Sequence, residues 1–189
     1  GKGEWRVDPD LGDNGSELSL LKENIARILS NDDYLMDSIH ITAACSPEGK
    51  IHVNRKLSGR RGEAIKGYVM EYMNRYRDSL EGSVWNINGD ETYMDDEDVA
   101  LLKFDEGNIR ITEISEDWES LYALLRKDSL IRCDGALLER CAAEEDLDRR
   151  EVILGKMENF EHVQRNYYPR LRRVKFKFKL CRKGMLKDT

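Results

Sequence analysis

The stretch from Cys45 to Met73, CSPEGKIHVNRKLSGRRGEAIKGYVMEYM, holds the residues of this chain best suited to chemistry. A Ser46-Pro47-Glu48-Gly49 turn is followed by a lone Asn54, then by Leu57-Ser58 and the paired Arg60 and Arg61. Pro47 and Gly49 make a turn on any reading, because proline presets the backbone and glycine permits conformations that other residues avoid. A guanidinium near a helix start is a fork of donors suited to a carboxylate. The residues alone leave two partners open for Arg61: the carboxylate of a ligand, or Glu48 as a brace for the strand-to-helix loop. Arg60 reads as a solvated surface charge.

Little else in the chain suggests reactivity. There is no nucleophile elbow, phosphate loop, metal-ligand cluster or His–carboxylate motif, and His40, His52 and His162 are scattered. The paired acids in DDED and EED sit in runs typical of solvated loops. Cys45, Cys133, Cys141 and Cys181 show no CxxC spacing, so a zinc site is not expected. On one helix Cys133 and Cys141 would lie roughly 12 Å apart, too far to bridge. Buried thiols are the expectation, with a Cys45–Cys181 bridge left open. The expected protein is therefore not an enzyme and needs no cofactor.

Hydrophobic content of 40% with 36% charged residues fits a globular chain with a proper core. No apolar run approaches the roughly 18–20 residues of a membrane-spanning helix. The chain carries a net −6, yet from Arg165 onward lysines and arginines face only Asp188. Such a basic end can mark an anionic partner, but the stronger reading is that it pairs with the acidic body or solvates one strand face. Nothing in it calls for nucleic acid.

The elements that must position the Cys45–Met73 residues follow from periodicity. EWRVD reads as a short first strand. Asn14 with Glu17 suggests a helix start ahead of Leu18, Leu21, Ile25, Ile28 and Leu29. SIHITAAC is a strand ending at the turn. From Ser58, residues Ala64, Ile65, Tyr68, Val69, Tyr72 and Tyr76 form one apolar helical face. VALLKFDEGNIRITEI reads as a hairpin around Asp105–Asn108. Three helices should follow, one capped by Ser115 and carrying Trp118, one capped by Asp134, and one bearing Val152, Ile153, Met157 and Phe160. Val174, Phe176, Phe178 and Leu180 alternate with Lys175, Lys177 and Lys179, a strand with one lysine-coated face. The fold class is α+β.

Three separated elements carry a family resemblance. Ile41-Thr42-Ala43-Ala44 leads into Cys45-Ser46-Pro47-Glu48-Gly49, then Asn54, Leu57-Ser58-Gly59-Arg60-Arg61-Gly62, and later Arg172-Arg173-Val174. This order resembles the strand, T-D-x-x-G, Asn, L-S-x-x-R-A and R-R-V pattern of the OmpA-like C-terminal domain. That module anchors bacterial envelope proteins to peptidoglycan. The S-P-E-G variant, ISEDWESLYALL and YYPRLRRV are similar to a divergent branch in envelope proteins of Bacteroidales, some of them fimbria-associated.

The resemblance implies a β-α-β-α-β sandwich of a small mixed sheet and helices. It implies a single domain over 1–189, with a core of about 5–116 and 166–183 and an inserted helical lobe of about 117–165. It also implies a piece of a longer envelope protein, at the periplasmic face of the outer membrane, with other envelope proteins as further partners. The family's ligand is the diaminopimelate of the peptidoglycan peptide stem, whose free end is a zwitterion. The implied site is Ser46, Glu48, Asn54 and Arg61: Arg61 in the first helical turn for the ligand carboxylate, and Asn54 to buttress the loop. Ser46 stands where the family has Asp, and Cys45 where it has Thr. A serine brings no charge to an ammonium, a loss of roughly 1.5–3 kcal/mol that Glu48, Asp8 or Asp10 could restore. An open cleft further requires the lobe to pack away from the Ser46–Arg61 loop.

Overall fold

The computed structural model describes residues 6–84, 104–131 and 135–183. Helix α1 spans Asn14–Leu29, strand β1 Tyr34–Ala44 and helix α2 Ile51–Val84. A 3-10 turn at Glu106–Asn108 leads into β2, Ile109–Ile114. Five helices follow: α3 Trp118–Leu125, α4 Gly135–Ala143, α5 Leu147–Leu154, α6 Phe160–Asn166 and α7 Tyr168–Leu171. The final strand is β3, Val174–Arg182. The class is α+β, a small mixed sheet of order β2-β1-β3 with helices. As expected, the strand before the turn and the final strand are neighbours. Among the described residues no helix is long and apolar enough to cross a membrane.

The chain divides into two compact units. One takes Arg6–Ile41, Glu63–Ile111 and the chain from Phe176; its core includes Leu21 and Ile25 of α1, Ile39 and Ile41 of β1, and Val69 and Met73 of α2. Two positions apart on β1 and four apart on α1 and α2, these side chains follow the strand and helix periods that the sequence displays. Lys175, Lys177 and Lys179 are exposed along β3, an edge strand among the described residues, where lysines discourage pairing with another chain. Val174, Phe176 and Phe178 are only half-buried and Leu180 is exposed, so the second face of β3 is less enclosed than the alternation suggests.

The other unit contains Thr42–Gly62 and Thr112–Lys175. Its helices α3–α7 close over a core of their own, with Trp118, Leu121, Leu125, Ile131, Cys141, Leu154, Met157, Val163, Tyr168 and Leu171 buried together. That core runs past the expected lobe boundary, because Tyr168-Pro169 forms a short helix with a proline in its first turn instead of a plain connection.

Several expected starts move. Residues 6–8 are not strand, and the rest of the proposed first strand lies outside the described residues. Asn14 is inside α1 and donates to the Asp8 carbonyl at 2.8 Å instead of capping. Asp117, not Ser115, caps α3, accepting from the Ser120 amide at 3.1 Å. The single helix expected across Val152–Phe160 ends at Leu154 and resumes at Phe160, with the weak helix former Gly155 at the break. The first hairpin strand, the Asp134 cap and Cys133 lie outside the described residues. Cys45, Cys141 and Cys181 are free thiols, so Cys45 and Cys181 are not bridged.

Candidate functional site

The site begins where β1 ends. Ala44 donates to the Arg173 carbonyl at 2.9 Å, and Cys45 exchanges bonds with the other neighbour, donating to Ile114 and accepting from Asp117, each at 3.0 Å. These bonds set the Cys45–Gly49 loop between the end of β2 and the start of β3. The chain then turns sharply: the Glu48 amide reaches back to the Ser46 carbonyl at 2.7 Å, and Gly49 takes φ +88°, which favours glycine.

Helix α2 starts immediately afterwards, at Ile51 and not at Ser58. Its cap comes from far along the chain. The Ile51 amide donates to Asp148 Oδ1 at 2.9 Å, Gly49 donates to Glu151 Oε2 at 3.2 Å, and Lys50 pairs with Asp148 at 3.7 Å. The lobe therefore grips the loop through α5, contrary to the expectation that it stands clear. Arg61 consequently lies several turns inside α2. The helix dipole fades within its first turn, and there it already meets Asp148. Arg61 cannot draw on that dipole.

Asn54 is the hub of the loop. It is 4% exposed, and its Nδ2 donates to the carbonyls of Ser46 and Glu48 and to Glu116 Oε1, at 3.3, 3.1 and 3.1 Å. Glu116 is buried too and accepts from Trp118 Nε1 at 2.8 Å. Burial pushes its carboxyl above the usual range, opposed by those two donors. Burial likewise raises the Cys45 thiol, against the pull of Arg61 and Arg172. Arg61 Nη1 donates to the Ala44 carbonyl at 3.4 Å and to Cys45 Sγ at 3.2 Å.

A cavity of about 250 Å³ opens over this loop, lined by all four expected residues, Ser46, Glu48, Asn54 and Arg61, and also by Arg172. Arg172 Nε donates to Ser46 Oγ at 3.1 Å, and its Nη2 pairs with Glu48 Oε2. Next to it, Arg173 is held by Asp117 at 3.0 Å and Ser120 Oγ at 2.7 Å. Asp8 and Asp10 belong to the other unit, where the Asp8 carboxylate accepts from the Asp10 amide at 3.0 Å. Among the described residues no cluster could hold a metal ion. Arg61 and Arg172 bring two guanidinium groups to the cavity, beside the Glu48 carboxylate.

Sequence reasoning passes over Arg172 as a site residue, although it stands in the Arg172-Arg173-Val174 element. It also misses Glu116, Asp148 and Glu151, whose partners are remote in sequence. Asp148→Ala should lower stability by about 1 kcal/mol, the worth of a helix cap, while Asp148→Asn, which keeps an acceptor, should cost less. Urea denaturation reads both. No family model, curated protein or solved structure matches the chain.

Proposed function

We propose that this chain is a non-catalytic module of the cell envelope that binds the diaminopimelate-containing peptide stem of peptidoglycan and so holds a larger outer-membrane or periplasmic protein to the wall. The observation that carries the reading is the convergence of Ser46, Glu48, Asn54 and Arg61 on one cavity, in the order of the OmpA-like pattern. Arg61 supplies a fork of donors for the stem carboxylate. Asn54 fixes the loop against which the ligand lies.

A second reading has an observation in its favour. Arg172 already engages Ser46 and Glu48, and α5 holds Gly49 and Ile51, which suits a scaffold for protein–protein contact in envelope or fimbrial assembly without peptidoglycan binding.

Ser46→Asp separates the two. A second carboxylate facing a single Arg172 leaves one negative charge for the ligand ammonium, so stem-peptide affinity should rise about tenfold. In a purely structural loop the substitution changes no binding and is neutral or destabilising. Isothermal calorimetry with wild type and variant distinguishes them.

A further inference from the structure

We propose that the cavity selects its ligand by a carboxylate alone, because Arg172 takes from inside the protein the place that a ligand's ammonium group would occupy. The inference rests on the cavity being the binding site.

The acceptors of the loop are engaged from within. Ser46 Oγ accepts from Arg172 Nε, and Glu48 pairs with Arg172 Nη2. The Ser46 carbonyl accepts from both Glu48 N and Asn54, and the Glu48 carbonyl accepts from Asn54. The Arg172 and Glu48 side chains are 20% and 19% exposed, so their attraction is little screened by water. Arg172 is also fixed at both sides, by buried Leu171 and by Arg173 on Asp117. Of the charged residues lining the cavity, Lys50, Arg61 and Arg172 are cationic and Glu48 alone is anionic. Lys50 leans toward Asp148. An entering ammonium meets acceptors already in use: besides Glu48, the carboxylates around the loop, Glu116, Asp148 and Glu151, hold Asn54 and Trp118, Ile51 and Lys50, and Gly49. An entering carboxylate meets the guanidinium groups of Arg61 and Arg172 on the cavity wall.

The test titrates the full chain with the tripeptide L-Ala-γ-D-Glu-meso-diaminopimelate and with two relatives. One has the free-end amine acetylated; the other has the adjacent carboxylate converted to the amide. Succinate is a fourth probe. Acetylation should change Kd less than about threefold, and amidation should weaken it at least about thirtyfold. In Arg172→Gln, Glu48 is released to receive an ammonium, so acetylation should then cost about tenfold or more. Ser46→Asp, which outnumbers Arg172 with a second carboxylate, should develop the same dependence even if Arg172→Gln fails to fold.

A wild-type loss of tenfold on acetylation overturns the inference while leaving the stem-peptide reading intact. An acetylation ratio that stays near one in both variants overturns the role given to Arg172. Succinate binding that depends on Arg61, with no tripeptide binding, supports carboxylate selection and overturns the stem peptide as ligand. No binding by any probe overturns both.

Discussion

Arg61→Ala is expected to weaken stem-peptide binding by about 100-fold or more, below calorimetric detection, because it removes the side chain proposed to meet the ligand carboxylate. Arg60 is exposed on α2 and does not line the cavity, and the Asn54 amide is committed to two loop carbonyls and Glu116. Neither can replace a planar fork of donors. Arg61→Lys keeps the charge without the fork, so it should recover only part of the affinity. The Lys variant also separates recognition from folding. Arg61 touches Ala44 and Cys45, and a variant that merely disturbed the end of β1 would shift the denaturation midpoint together with affinity.

Leu154→Ala should destabilise the protein by about 2–5 kcal/mol, as expected for emptying a fully enclosed leucine site. Leu154 is completely buried in the core formed by α3–α7. It lies on the same short helix as Asp148 and Glu151, which hold Ile51 and Gly49. Loosening α5 therefore loosens the loop that shapes the cavity, and stem-peptide affinity should fall with stability. Val152, on the same helix but 65% exposed, is the control. Val152→Ala should move stability by no more than about 0.5 kcal/mol and leave binding unchanged. Urea denaturation and calorimetry on both variants measure the pair of effects.

That contrast also shows what the sequence could and could not convey. Helical periodicity placed Ile65 and Val69 correctly on the buried side of α2, and alternation placed the lysines of β3 outward. Both patterns are local, and each residue's environment repeats along its own element. The start of α2 was not legible, because its cap is Asp148, far along the chain, and no capping residue stands just before Ile51. In α5 the residues of the expected helix separate: Ile153 packs against the core as part of the apolar pattern, whereas Val152 is exposed and Leu154 is the fully buried residue. A helix this short offers too few turns for its period to speak.

Ser46, Glu48, Asn54 and Arg61 could be grouped from the sequence because they lie on one continuous stretch, and the turn and the helix bring them to a common cavity. In the sequence Arg172 marks only the start of a strand, and its contact with Ser46 and Glu48 cannot be read from spacing. Glu116 stayed hidden for the same reason, since its bond to Asn54 joins separate elements. Tertiary pairs of this kind decide how a loop is charged, yet they leave no periodic trace.

Arg61 and its cavity are proposed to bind a carboxylate of the peptidoglycan stem. The most direct measurement is a calorimetric titration of the wild-type chain with L-Ala-γ-D-Glu-meso-diaminopimelate, repeated with folded Arg61→Lys. Saturable one-site heat is expected for wild type, and clearly weaker binding for the variant. No heat with wild type, or equal affinity in both proteins, would contradict it.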